Sequence, residues 1–167
     1  MAQVLFIKAE DLKKNTILGG SVDTNKFIQY IKISQEIHIQ NYLGSKLYQR
    51  LIAGITAGDL NADETTLLDD YIQDALIHFA SAEYLPFAAY QISNGGVYKH
   101  TSENSTGVDK NEIDYLVQKE RDFAQYYIKR MVDYLCVNSS LFPEYSTNVD
   151  NDIRPSKNSN YSSGWVM

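Results

Sequence analysis

The sequence is poor in cysteine, in basic residues and in long apolar runs, and each shortage excludes a class of protein. A single cysteine in 167 residues cannot form a disulfide within the chain, which excludes a disulfide-stapled scaffold. Lys and Arg number 15 against 21 Asp and Glu, a net charge of -6, so the chain lacks the clustered basic surface that grips nucleic acid by its phosphates. No apolar stretch is long enough to span a bilayer or to act as a signal peptide, and we expect the protein to stay where it is made.

Motifs for covalent or phosphate chemistry are missing as well. The sequence contains no GxSxG nucleophile elbow. Cys136, between Leu135 and Val137 on an apolar helix face, is predicted to be a buried thiol. The pair Gly95-Gly96 is not followed by the Lys-Ser/Thr of a phosphate-binding loop and indicates a turn. We therefore expect a protein that is not an enzyme.

Histidines and carboxylates offer two weak candidates for a site. Asp70, Asp74 and His78 follow each other at i, i+4 and i+8 and could hold a metal, but the two-His and Glu-x-x-His spacings of helical metal sites are missing. An ion pair at the surface or between helices is the favoured interpretation. His38, which lies between two isoleucines, is predicted to be a hydrogen-bonded histidine at a helix interface rather than a catalytic base. We expect no metal and no cofactor.

Amphipathic helix is what the sequence has in abundance. The stretch YIKISQEIHIQNYLGSKLYQRL, from Tyr30 to Leu51, predicts a helix, a glycine stop and a second helix. Gly44 suits the left-handed conformation that ends helices, and the Ser45 side chain could accept the first free N–H groups of the helix that follows. An apolar stripe then continues until Gly58. The two helices are expected to turn sharply against each other.

Two more long helices are predicted downstream. Asn61 opens the central helix, and Pro86 should kink or restart it because proline removes a backbone donor. The last helix begins at Asp109 with Glu112 three residues on, a capping-box pattern. The residues of its predicted core face are Ile113, Leu116, Val117, Phe123, Ala124, Tyr127, Ile128, Met131 and Leu135. The residues of its predicted solvated face are Asp114, Gln118, Arg121, Asp122, Gln125, Lys129 and Asp133.

These elements predict a mainly α fold, with a single helical bundle of about four long helices in residues 1–143. Between the last two helices, residues 93–109 form a long loop in which VYKHT could fold back around SENS as a small β-hairpin. Residues 144–167 are polar and rich in Asn and Ser. They predict an extended C-terminal docking tail that is mobile in the free protein.

The phrase IHIQNYLGSKLYQRL, with a helix before it and a long helix pair after it, resembles the small helical head-tail connector proteins of tailed bacteriophages, most closely the ring proteins of crAss-like phages infecting Bacteroidetes. The likeness covers roughly residues 5–145, and YLGSKLYQRL is its most specific piece. The resemblance implies a structural virion protein of the neck region, assembled in the host cytoplasm, that forms a ring of twelve copies below the portal. Such a ring would join the head to the tail and continue the DNA channel, and an acidic wall lets DNA slide past without binding its phosphates.

Two segments are predicted to make the contacts of such a ring. The tail tip would hold the portal protein and the adjacent ring or tail proteins through an apolar cluster, which consists of Tyr161, Trp165, Val166 and Met167. Pairing between neighbouring subunits would use the β-capable loop residues Val97, Tyr98, Lys99, His100 and Thr101. The alternative is a helical binding or regulatory module whose bundle holds a peptide or a small ligand. No specific nucleic-acid binding and no membrane contact are expected.

Overall fold

The computed structural model describes residues 4–18, 24–88, 90–93, 96–99, 109–148 and 152–158. The helices in these ranges are α1 (Ala9–Asn15), α2 (Asn25–Ser34), α3 (Gln40–Ala57), α4 (Ala62–Leu67), α5 (Gln73–Tyr84), α6 (Lys110–Val137) and α7 (Pro143–Ser146). Two π turns, Gln35–Ile39 and Leu68–Ile72, join α2 to α3 and α4 to α5, and a 3-10 turn, Leu85–Phe87, follows α5. The predicted mainly helical bundle is confirmed, with four long helical rods at residues 25–43, 45–57, 62–84 and 110–137.

Capping signals in the sequence set the ends of these rods. The Asn61 side chain accepts a hydrogen bond from the Glu64 amide at 2.8 Å, and the Glu64 carboxylate accepts one from the Asn61 amide at 2.9 Å. Asp109 and Glu112 make the same reciprocal arrangement where α6 begins. Pro86 lies in the 3-10 turn that ends α5, because its ring and its missing N–H do not fit a helix interior.

Helix α5 lies at the centre of the bundle, where α1, α2 and α6 all pack on it. The fully buried apolar residues that α5 and α6 contribute are Ala75, Leu76, Ala80, Ala124, Ile128, Met131 and Leu135. On α6 they recur at spacings of four, three and four, which is one face of a helix. Phe123 was predicted for this face and is instead 51% exposed, because it lies about 100° around the helix from Ala124.

A two-stranded antiparallel sheet, β1 (Tyr90–Ser93) and β2 (Gly96–Lys99), follows the 3-10 turn. Ile92 stands opposite Val97 in its register. The predicted hairpin around SENS is therefore wrong, since VYK pairs with the preceding YQIS. The physical reason is composition: YQIS carries the aromatic and β-branched residues that favour strands, whereas the TGVD downstream of SENS contains Gly and Asp, which disfavour them.

The C-terminal residues remain packed beyond the domain boundary predicted after residue 143. Tyr145, two residues past the predicted boundary, enters the core at 2% exposure, as does Phe142 just before it at 1%. Asn148 is buried as well, and residues 152–158 lie against α3. The boundary between 143 and 144 thus falls inside a packed region, because two aromatic side chains are enough to anchor an otherwise polar stretch. Residues 159–167 lie outside the described part of the chain.

Candidate functional site

The most specialised backbone in the described chain is the helix break at Gly44. Its φ of 74° and ψ of 160° interrupt α3 in a region of conformational space that is essentially restricted to glycine. The predicted interruption of the helix at this glycine is confirmed, but its ψ of 160° is not that of the left-handed cap conformation expected for it. A Cβ atom on Gly44 would also lie 2.7 Å from both Cγ and Cδ of Pro155 and would collide with the Asn148 side chain. The position therefore requires glycine for its conformation and for the close approach of another segment.

The segment that approaches Gly44 is the C-terminal one, and its hydrogen bonds use the groups that the break leaves free. The Ser45 amide donates to the Ile153 carbonyl at 2.9 Å, and the Ile153 amide donates to Ser45 Oγ at 3.0 Å. The Ser156 amide donates to the Asn41 carbonyl at 2.9 Å. The Ser45 hydroxyl was predicted to cap the following helix; it binds the C-terminal segment instead. An interrupted helix leaves unpaired N–H and C=O groups, and here a distant stretch of the chain satisfies two of them.

We name residues 142–148 and 152–158 the C-terminal clasp. Besides the bonds to the break, Lys46 Nζ donates to the Thr147 carbonyl at 3.0 Å. The Asn148 side chain donates to the Ile153 carbonyl, which folds the two parts of the clasp onto each other. Burial raises the pKa of the Tyr145 phenol. These contacts fix the clasp as part of the domain.

The π turn ahead of the break holds the N-terminal residues in a comparable way. Gln35 is buried, and its Oε1 accepts a hydrogen bond from the Phe6 amide at 2.8 Å. Its Nε2 donates to the Val4 carbonyl and to the Tyr48 hydroxyl, each at 3.1 Å. π turns occur often at functional positions because they redirect a side chain out of helical register. Residues near both ends of the chain are therefore attached at positions 35 and 45.

His78, one of the candidate metal ligands, pairs with a carboxylate of another helix. Its Nδ1 lies 2.7 Å from Glu120 Oε2 on α6, and the Tyr127 ring stacks on the imidazole with centroids 5.6 Å apart. Asp70 is exposed and Asp74 only half-buried. The structure therefore places His78 in a contact between α5 and α6, and the partner on α6 was missed because it is 42 residues away in sequence.

His38 occupies a second contact of this kind. Its Nε2 lies 3.2 Å from Glu83 Oε1, which is also 3.7 Å from the Arg121 guanidinium on α6. The imidazole stacks on Phe79 with parallel rings 4.1 Å apart. Burial lowers the pKa of His38, and the Glu83 carboxylate opposes that shift only in part. His38 is thus a mostly neutral interface histidine at pH 7 that connects the π turn, α5 and α6.

The other predicted site residues fall in three places. The backbone of Val97, Tyr98 and Lys99 forms most of β2. The predicted residues that lie outside the described chain are His100, Thr101, Tyr161, Trp165, Val166 and Met167. Cys136 was predicted to be buried and is exposed, because it lies about 100° around α6 from the buried Leu135.

Two further findings concern the described residues only. Among them, no group of three or more His, Cys, Asp or Glu side chains is placed to hold a metal ion. Within the same ranges no helix combines the length and the apolar character needed to cross a membrane.

The structure defines a small helical bundle whose C-terminal clasp is fastened onto a helix break. Residues 39–155 match DUF6712, a family of unknown function, and the chain belongs to that family. The matched range contains both partners of the contact, since it includes Gly44 and ends at Pro155. No curated protein and no solved structure matches the chain.

Proposed function

We propose that this protein is a structural virion component, a head-tail connector that forms a ring below the portal and continues the DNA channel. The resemblance of IHIQNYLGSKLYQRL to connector proteins of tailed phages supports the proposal. The observation that carries it is the helix break at Gly44, because the most specific part of the likeness, YLGSKLYQRL, builds the break and receives the C-terminal clasp. The likeness therefore includes a feature on which the fold depends, and is more than a shared amphipathic pattern.

A ring subunit also needs two different contact surfaces, because head-to-tail contacts close by rotation. Ile33 and Ile37, four residues apart on α2 and the π turn, are 38% and 61% exposed. We assign this isoleucine pair to one side of the ring contact. Strand β2 carries part of the segment Val97 to Thr101 and supplies the other side through strand pairing with a neighbour.

The charge balance fits a channel wall. With a net charge of -6, the chain repels DNA phosphates rather than neutralising them, so DNA can pass without being held. The role needs no catalytic group, and the two His–Glu contacts between helices act as structural pairs.

Mixing the protein with purified portal tests the proposal, with mass photometry and negative-stain imaging as readouts. We expect portal-dependent rings of about twelve copies. Ile37→Asp should abolish these rings, because it puts a charge into the assigned contact. The matched control is Ile17→Asp, since Ile17 is 62% exposed, close to the 61% of Ile37. A protein that never associates with portal would contradict the connector assignment.

The predicted tail tip is tested in the same assay. Trp165→Ala should weaken attachment to portal or to the adjacent ring while leaving the melting temperature unchanged, because a buried tryptophan often dominates binding at an interface. Attachment equal to that of the wild type would remove the tip from the mechanism.

A peptide-binding helical module is the second candidate, and the clasp favours it. The helix break at Gly44, which this candidate uses as its peptide-binding groove, already holds a non-helical segment through hydrogen bonds to Ser45 and Asn41. A synthetic peptide of residues 152–158, added to the full chain carrying Ile153→Pro, should bind if the groove accepts peptides. The substitution removes the amide that donates to Ser45 Oγ and so weakens the resident segment. Absence of binding would remove this candidate.

A further inference from the structure

Helix α6 presents a second apolar stripe on the side opposite its buried face. Tyr115, Tyr126 and Val137 are 61%, 63% and 83% exposed, and they follow each other at intervals of eleven residues. Eleven residues make slightly more than three whole turns, so these side chains form a line nearly parallel to the helix axis. Phe123, which is 51% exposed, lies beside the line. We call these four residues the α6 stripe; it extends over about 33 Å.

Between the members of the stripe lie charged residues that are placed symmetrically about Tyr126. If two α6 helices pair antiparallel about Tyr126, residues whose numbers are equally far from 126 meet. Tyr115 then faces Val137, Lys119 faces Asp133, and Asp122 faces Arg130. All of these residues are exposed.

We infer that the α6 stripe is the contact surface for a second copy of this chain, joined by a twofold axis at Tyr126. In such an isologous contact each pair occurs twice, so the interface contains four opposite-charge pairs between the central Tyr126 and the Tyr115–Val137 pairs at its two ends. A parallel arrangement would place Lys119 against Lys119 and Asp133 against Asp133. Antiparallel pairing also brings the opposite ends of the two helix dipoles together.

The contacts that these charges make within one copy do not oppose the pairing. Lys129 Nζ lies 2.7 Å from Asp133, but both side chains are more than 60% exposed. The Lys119 ammonium lies 5.6 Å from the centre of the Tyr115 ring, and Asp122 accepts a hydrogen bond from Gln118 Nε2 at 2.8 Å. The Arg130 guanidinium lies 5.3 Å from the centre of the Tyr71 ring and has to leave it to reach a partner. Exposed contacts of this kind contribute little, and the side chains can turn to a partner without loss of buried structure.

The size of the stripe predicts a weak dimer. Large aromatic side chains bury about 150–250 Å² each, so the exposed parts of the four stripe residues offer about 400–500 Å² per copy. With the flanking charges, the two copies together reach the lower limit of specific interfaces, about 1,200 Å². This pairing goes beyond the connector function: it needs no portal, and its symmetric contact differs from the head-to-tail contact assigned to Ile33 and Ile37.

Sedimentation velocity of the full chain, without portal, tests the inference from about 1 to 200 µM at low salt. We expect the mass to rise from 19.0 kDa towards that of a dimer. Lys119→Asp and Asp133→Lys each create two like-charge pairs and should raise the dimer Kd at least about tenfold. The double variant K119D/D133K restores opposite charges and should recover dimerisation, as should an equimolar mixture of the two single variants.

A cross-link tests the position of the axis. In a Cys136→Ser background, Tyr126→Cys should form a disulfide-linked dimer, because the two residues face each other across the axis. Asp114→Cys is the matched control: antiparallel pairing separates the two copies of residue 114 by about 36 Å along the axis. A chain that stays monomeric, that grows beyond a dimer, or whose association ignores the single charge changes would overturn the inference. Equal cross-linking at 114 and 126 would overturn it too.

Discussion

Replacing Gly44 with alanine should detach residues 152–158 from the helix break. The new methyl group would stand 2.7 Å from two carbon atoms of the Pro155 ring, far inside the normal contact distance. Because the collision is with a ring and with the Asn148 side chain, the simplest relief is for the docked segment to leave. The change therefore acts on a contact between residues that are more than 100 positions apart in sequence.

The magnitude follows from two contributions. Alanine at φ 74° and ψ 160° costs about 1–3 kcal/mol in backbone strain. Loss of the three hydrogen bonds that join Ser45 and Asn41 to the segment costs a net of about 0.5–1.5 kcal/mol each. Together the free energy of unfolding should fall by about 2.5–7.5 kcal/mol. At about 2–4 °C per kcal/mol for a chain of this size, the melting temperature should fall by about 5–30 °C.

Thermal unfolding followed by circular dichroism measures the total effect, and hydrogen exchange at the Ile153 and Ser156 amides measures the detachment. Gly58→Ala is the matched control: Gly58 also has a positive φ, 70°, but a Cβ atom there would meet nothing within 4 Å. In the control the free energy of unfolding should fall by about 1–2 kcal/mol from backbone strain alone, and hydrogen exchange at the Ile153 and Ser156 amides should be unchanged. The reasoning is refuted if Gly44→Ala destabilises no more than the control, or if the two amides stay protected in it.

Two further predictions concern polar groups between helices. The fold lowers the pKa of His38, so the unfolded chain binds more protons below the ordinary value of 6.5, and stability should fall as the pH drops through that value. His38→Gln should reduce the difference in melting temperature between pH 7.5 and 5.5, and an unchanged difference would contradict the assignment. The Arg50 guanidinium donates two hydrogen bonds, of 2.7 and 2.9 Å, to the buried Glu64 carboxylate. Arg50→Met leaves that charge without its ion-pair partner, so the free energy of unfolding measured in urea should fall by about 2–4 kcal/mol. Arg50→Met/Glu64→Gln should recover part of the loss, and a double variant as unstable as the single one would contradict this reason.

The helices could be predicted because their signals are local. Asn61 with Glu64, and Asp109 with Glu112, place a cap and its partner three residues apart, and the buried positions of α6 recur within one or two turns. Gly44 was predictable for the same reason, since a glycine between two apolar patterns indicates a stop. Phe123 and Cys136 were wrongly predicted to be buried, and each is the immediate neighbour in sequence of a buried residue. A periodic pattern locates the buried face of a helix only to within about one residue, or 100°.

The clasp could not be predicted, because backbone groups make most of its contacts. Every residue except proline has the same backbone amide as Ile153, so a hydrogen bond made by that amide leaves no pattern in the sequence. Pro155 and the aromatic Tyr145 were the only signs that the polar stretch contains packed residues. His38 and His78 were expected in contacts of this kind, but their partners Glu83 and Glu120 could not be predicted, since a single pair between helices has no periodicity.

The distance in sequence between Ser45 and Ile153 has a consequence for the order in which the chain folds. The two residues are 108 positions apart, and ribosomes add about 5–20 residues per second. Ile153 is therefore added about 5–20 seconds after Ser45 during synthesis. Closing so large a loop costs more entropy than forming local helical contacts, so we expect the helices to form before the C-terminal segment covers the break.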